Sequence, residues 1–446
     1  SMQNNITYED LAAFSDRFAA STAGRVAMHA VTNNGVLKSA LDQEAMRRNP
    51  HHFSTELIQG DITSQKKSGR CWMFAATNCM RYQVIHRFHL ETFELSQNYP
   101  LFYDKLEKAN YFLESILETL SEPVEGRLVS HLLRDPLGDG GQWDMFVNLV
   151  KKYGMVPKDA MPETAVSGGT AEMTAAMTEK LREDACILRA MHGGGKTLDD
   201  LRAAKDSMMS DIYGMLCICL GRPPQKFDFE FTDKDGKFTR DEGLTPQAFF
   251  VKYVAMDLDD YVRLINAPTA DKPFYRSYSV KYLGNVAGGR PVRYLNLPVE
   301  RLKQAAAAQM KDGEPVWFGC DVGKSSDRDS GIMDTKLYDR ESLFGVRFGM
   351  DKGQRLTYGQ SLMTHAMVLT GVDEDSAGKF LRWRVENSWG KDCGKDGYFV
   401  MSDDWFTEYT YQVVVHKKYL TAEELAAYEA DPIMLEPWDP MGSLAK

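Results

Sequence analysis

The sequence predicts an α+β protein with two facing lobes, a helical one from the first half of the chain and a β-rich one from the last third. Three observations carry this reading. Residues 71–90 run without Gly or Pro and place Phe74, Met80 and Ile85 at roughly helical spacing. The middle of the chain, at 170–191 and 197–220, is dense in strong helix formers. From about residue 291 the style changes to segments rich in β-branched and aromatic residues, at 315–323, 365–375, 379–390, 397–406 and 410–420.

Taken in order, residues 1–60 read as an N-terminal arm and the start of the core, and 61–164 as the helical lobe. Residues 165–290 read as a mainly helical insertion, 291–430 as the β-rich lobe, and 431–446 as a proline-bearing tail behind a short acidic helix at 421–430. Ser68-Gly69 makes a turn into the helix that opens near Cys71. HGGGK, between the two middle helices, is a flexible break. A phosphate-binding loop would need a further glycine at position 190, where Ala stands, and no suitable strand precedes it. At 227–240 phenylalanines alternate with polar residues around a DKDG turn, the pattern of a β-hairpin. That turn mimics a calcium loop at Asp233, Asp235, Gly236 and Glu242, but Phe231 stands where the first carboxylate must be. No histidine pair falls in an HExxH frame, so no metal site and no cofactor are expected.

With 446 residues, 43% of them hydrophobic and 26% charged, the chain can bury a large core and is not a disordered polymer. The formal net charge of -10 argues against non-specific binding of nucleic acid, which rests on Lys and Arg neutralising phosphates. No run approaches the ~20 apolar residues of a membrane helix. The opening segment lacks the basic, apolar and small-residue parts of a secretory signal. Seven cysteines are too sparse, and odd in number, for a disulfide scaffold; Cys217 and Cys219 sit in an apolar run as small buried hydrophobes. A cytoplasmic protein is expected.

One constellation carries chemistry. Nucleophilic catalysis by cysteine needs a thiolate, a histidine to hold the proton, and a group that orients the histidine. Cys71 begins a helix, where free backbone N–H groups and the helix dipole favour negative charge. His365 stands at the entrance of an apolar strand, and Asn387 closes the strand that follows it. Asn387 can accept the ring N–H of His365 and leave the other ring nitrogen for the thiol.

Ser68-Gly69-Arg70-Cys71-Trp72 and Asn387-Ser388-Trp389-Gly390 together resemble the papain-like cysteine peptidases. Arg70 stands where that family has a small residue, and Ser68 where it has a first cysteine, consistent with a branch lacking the outer disulfide. The resemblance implies that Gln65, six residues ahead of Cys71, supplies an oxyanion-hole amide. It also implies that Trp389 shields the His–Asn hydrogen bond from water, and that Gly140 and Gly141 line the groove for an extended peptide substrate. The stretch from Cys71 to His365 is far longer than the family's ~130–150 residues, and the material between about 165 and 290 accounts for the excess.

That insertion, the wording around Cys71 and His365, and the ending EPWDPMGSLAK resemble the bleomycin hydrolase and aminopeptidase C branch. The branch implies a homohexamer with the insertion as an oligomerisation hook. It also implies a C-terminal tail lying in the active-site groove, whose carboxylate pairs with a substrate's free α-amino group and confines the enzyme to peptide N-termini. Lys446 is then expected to be trimmed, leaving Ala445 in the groove. A nucleic-acid-binding scaffold and hydrolysis of a non-peptide amide are the competing readings.

Overall fold

The computed structural model describes residues 3–446. The helix that opens at Cys71 runs Cys71–Arg87 and is the hub of the helical lobe, buried on every side from Cys71 to Tyr82. Its polar residues in this stretch are paired inside the core, Asn78 donating to the Thr63 hydroxyl and Arg81 pairing with buried Glu386. It stops where His89 takes a left-handed conformation (φ 56°), and His86 and Arg87 face the negative end of its dipole. Trp143–Tyr153 packs beside it, and Asn98–Glu118 packs on Trp143–Tyr153 in turn.

The two middle helices are Ala171–Gly193 and Leu198–Leu220. Met173, Met177, Leu181, Ala185 and Leu188 on the first, and Leu201, Met208, Ile212, Leu216 and Leu220 on the second, form buried stripes at helical spacing. Both stripes face Asn98–Glu118. The glycine break between the helices ends in Thr197, whose side chain caps the second helix in a capping box with Asp200. The hairpin forms as strands Phe227–Thr232 and Phe238–Leu244. Asp233 spends its carboxylate on the amides of Asp235 and Lys237 inside the turn, which accounts for the calcium-like spacing.

The β-rich part is one mixed sheet. Its central strands lie in the order Tyr261–Ile265, Thr410–His416, Val316–Cys320, His365–Glu374, Phe380–Glu386 and Tyr398–Ser402. The first eight residues of His365–Glu374 are all buried, without alternation. Helix Cys71–Arg87 covers one face of that strand and Val299–Lys311 the other, so neither face needs polar residues.

The sheet departs from the sequence reading in three places. Its pairing reaches back well before residue 291: Tyr261–Ile265, Arg276–Val280 and Tyr294–Asn296 all join it. Arg263 lies buried in the first of these and pairs at 2.8 Å with buried Asp144, tying sheet to helical lobe. Removing one partner of such a pair costs ~3–5 kcal/mol. The expected strand at 397–406 ends at Ser402, whose hydroxyl accepts from the Trp405 amide and starts a helix at Asp403 with two acids in its first turn. The tail also adds a strand that was not expected, Ile433–Leu435 pairing in parallel with Arg276–Val280.

No helix among the described residues is long and apolar enough to cross a membrane. All seven cysteines are free.

Candidate active site

The groove between the lobes brings Cys71, His365, Asn387 and Gln65 together. Cys71 is the first residue of its helix, with Arg70 in the capping position and no side chain competing for the first amides. Its sulfur accepts a hydrogen bond from the Ala366 amide at 3.4 Å, which places it against the start of the histidine strand. His365 is fixed there because strand Val316–Cys320 pairs with it in register, His365 opposite Cys320.

Asn387 follows directly on strand Phe380–Glu386. Its Oδ1 lies 2.9 Å from His365 Nε2 and also accepts the Ser388 amide at 2.8 Å. An atom that accepts from an amide is the oxygen, so Nε2 of His365 must carry the proton and donate. Nδ1 is then the basic nitrogen. The Trp389 ring covers the imidazole at 4.9 Å between centroids, and the Arg328 guanidinium sits 4.7 Å from the centre of the same indole.

Gln65 is stitched to the residues that follow Asn387. Its backbone amide donates to the Ser388 carbonyl at 2.8 Å, and its Oε1 accepts from the Ser388 hydroxyl at 2.7 Å. Nε2 donates one hydrogen to the Ser68 carbonyl at 2.8 Å, which turns the carboxamide back over the turn that leads to Cys71.

Gly140 and Gly141 form the groove wall. A Cβ at Gly141 would lie 2.5 Å from the Trp72 ring, and one at Gly140 would meet the tail at Leu444, 2.9 Å away. Only glycine allows both the packing and the approach of a second backbone. The wall is held from behind by buried lysines, Lys108 donating to the carbonyls of Gly138 and Gly140 and Lys105 to Asp139 at 2.6 Å. Burial alone would raise the Asp139 carboxyl, but Lys105, Thr170 and the Gly69 amide outweigh it and hold the group well below the ordinary carboxylate range. Asp139 thereby fixes the amide of Gly69, two residues before the nucleophile.

The tail lies in this groove as a strand. Ala445 and Gly141 exchange both backbone hydrogen bonds, at 2.9 and 3.1 Å, and the Lys446 amide donates to the Thr364 carbonyl at 2.9 Å. Cβ atoms placed on Gly69 and Gly140 would lie 3.0 and 3.3 Å from the Lys446 Cβ, so these glycines are the walls of the position Lys446 fills. The Lys446 backbone thus lies beside the His365 ring. With the tail seated, burial pushes the Cys71 thiol up to about 12 and the His365 imidazole down to about 4. Water exclusion therefore favours the neutral pair while the groove is filled.

The sequence reading missed Gly69, Asp139 and Thr364. Gly69 stands inside the motif around Cys71 and Asp139 directly precedes the glycine pair, but only the fold shows that they touch; Thr364 acts through its carbonyl, which no side chain advertises.

The Peptidase C1-like family model matches residues 5–442. The chain belongs to this family. It is 52% identical over 417 residues to the aminopeptidase C of Streptococcus thermophilus, covering 94% of each chain. It is 42% identical to human bleomycin hydrolase, covering 99% of each. Among solved structures it is similar to PepW from Lactobacillus rhamnosis HN001, with a TM-score of 0.98, 50% identity and full coverage of both chains. The α+β, papain-like fold of the peptidase family is thus the fold of this chain.

Proposed function

We propose that this protein is a cysteine aminopeptidase that removes N-terminal residues from peptides with broad side-chain tolerance. The observation that carries the reading is the tail in the groove. A peptide seated beside Gly141 and Thr364 can extend no further on its N-terminal side, because Ala445 and Leu444 already fill the path.

Once Lys446 is removed, the position between Gly69 and Gly140 opens for one substrate residue. Its α-ammonium takes the place of the Lys446 amide, donating to the Thr364 carbonyl and to the carboxylate left on Ala445. A charge-assisted pair of this kind selects free amines over blocked ones. Broad tolerance follows from walls made of glycine, and from the cavity of about 340 Å³ that borders Lys446, Leu444, Met363 and Tyr111.

The chemistry runs in two balanced halves. Cys71, its proton passed to Nδ1 of His365, attacks the carbonyl carbon. Negative charge gathers on the carbonyl oxygen between Gln65 Nε2 and the Cys71 amide. His365 returns the proton to the leaving amine as the C–N bond breaks, and Asn387 holds the ring throughout. Water, deprotonated by His365, then releases the acyl group. The same steps serve a non-peptide amide, the reading favoured by the name of the human relative.

Paired peptides that differ only in N-acetylation test the assignment. Free peptides are expected to be cleaved at least ~100-fold faster, the scale of losing a buried charge-assisted contact. Equal cleavage of the two would remove the aminopeptidase reading. Intact-mass measurement tests the trimming: active protein should lack Lys446 and Cys71→Ala should keep it, whereas retention by both would sink the idea.

We also infer a homohexamer in the cytoplasm. In support, the N-terminal helices Tyr8–Ala19 and Thr22–Asn34 bury none of their side chains among the described residues, and Tyr8, Leu11, Phe14, Phe18 and Val26 stand exposed. Apolar faces of this extent call for a partner. Light scattering should return six times the chain mass; a monomer would contradict it. Free cysteines throughout suit a reducing compartment.

A further inference from the structure

The residue just before the nucleophile is unusual. Arg70 is 0% exposed, yet it is a permanent cation at the mouth of a catalytic groove. Its guanidinium makes two parallel bonds to Glu163, at 2.9 and 2.6 Å. It also donates to the Ser68 hydroxyl at 2.8 Å and to the Gln65 carbonyl at 3.2 Å. The Ser68 hydroxyl in turn donates to that same Gln65 carbonyl at 2.5 Å. The whole turn from Gln65 to Arg70 is therefore wrapped around one guanidinium, and Glu163 is the post to which it is tied.

The turn needs such a tie. Lys66 adopts φ 54°, a left-handed conformation that a residue other than glycine holds only under constraint from its surroundings. No disulfide braces it, since Ser68 stands in the outer position and every cysteine is free. On the far side, the segment carrying Glu163 is itself fixed. The Lys67 amide donates to the Gly168 carbonyl at 3.1 Å, the Thr170 amide donates to the Lys67 carbonyl at 3.3 Å, and the Thr164 hydroxyl donates to the Cys219 carbonyl at the end of helix Leu198–Leu220. Burial works against the Glu163 charge, but hydrogen bonds from Arg70 and its attraction prevail and keep the carboxylate ionised.

We propose that Arg70, through its buried ion pair with Glu163, is a positioning residue that holds the Gln65 carboxamide where the oxyanion forms. The proposal rests on the cysteine-peptidase reading above. It makes a specific division: Arg70 touches the loop that bears Gln65, whereas the thiol and its histidine are held by Ala366 and Asn387. Losing Arg70 should damage steps that build an oxyanion and spare steps that do not.

Two thiol reagents separate these. The Cys71 thiolate attacks the methylene carbon of iodoacetamide, the S–C bond forming as the C–I bond breaks and iodide leaves, with no oxyanion. An aminoacyl aldehyde such as leucinal adds the thiol across its C=O bond, the S–C bond forming and the proton ending on oxygen, which must sit at Gln65. In Arg70→Ser, kcat for aminoacyl-arylamides is expected to fall ~100-fold, within the range for one lost oxyanion donor, with KM changed less than about two-fold. Leucinal affinity should fall in parallel, while the rate of alkylation stays at the wild-type value.

Glu163→Gln keeps the volume and one acceptor, and should show the same pattern at ~10-fold. It decides the matter if Arg70→Ser does not fold. Alkylation falling in step with kcat, or kcat left intact in the folded variants, would overturn the proposal. Failure of iodoacetamide to inactivate the wild-type protein would instead overturn the peptidase reading.

Discussion

Cys71→Ser is expected to reduce hydrolysis of aminoacyl-arylamides by ~10⁴-fold or more, the range seen when the nucleophile of a catalytic set is lost, with no loss of folded protein. The reason is geometric as much as chemical. The helix amides and the Ala366 N–H oppose the burial that keeps the thiol neutral beneath the seated tail, and a histidine with its proton on the far nitrogen can take the thiol proton once the groove opens. A serine hydroxyl, far less acidic, gains little from the same surroundings. His365→Ala should cost a comparable factor, and the double variant little more than either alone, because the two act as one unit. Steady-state kinetics with circular dichroism as the folding control measures this. Turnover by Cys71→Ser near the wild-type rate, or wild-type turnover that survives a thiol alkylator, would contradict the assigned nucleophile.

The residues proposed to react were legible as candidates because each is a rare residue type in a local context that few other roles produce. Cys71 came with Ser68-Gly69 before it and Trp72 after it, and Asn387 with Ser388-Trp389-Gly390. What supports them was not legible, for a physical reason. Glu163, Asp139 and Thr364 act by reaching residues distant in sequence, and an acid, a loop Asp and a carbonyl carry no mark of a partner. The same holds for the sheet. Tyr261–Ile265 is buried throughout with an arginine in its middle, and Arg276–Val280 buries Ser277 and Ser279, so neither shows apolar alternation. Trp405 and Phe406 read as strand residues, but the Ser402 cap and the acids behind it decide for a helix.

Two ties converge on the nucleophile's turn from opposite sides. Asp139 takes the Gly69 amide and draws the turn toward the glycine wall, with Lys105 behind it. Arg70 and Glu163 draw it toward the segment that leads into the middle helices. Both ties are ion pairs with one partner fully buried, a costly construction that makes sense where an atom must be held in one place. The middle helices are thus mechanically connected to the catalytic groove, whatever they contribute on their outer surface.

Removing Ser443–Lys446 is the other change expected to have a large effect, and its sign differs from that of the first. Catalysis should survive, since none of the four residues holds Cys71 or Asn387; what changes is which peptides are accepted. The Gly141 amide and carbonyl, now satisfied by Ala445, become free to pair with a substrate backbone, and the channel past Leu444 opens. Cleavage of N-acetylated peptides should rise ~100-fold or more. Cleavage of short free peptides should weaken by a similar factor, as the carboxylate partner of the α-ammonium is lost. The buried centre also becomes wet. Water reaching Cys71 and His365 lifts the burial that pushes the thiol up to about 12 and the imidazole down to about 4, so both shifts relax toward ordinary values. Alkylation at neutral pH should then be faster than in protein that keeps Lys446. If the truncated protein stays folded and still rejects acetylated peptides, the tail is not what limits the enzyme to N-termini, and the restriction must lie in the groove walls themselves.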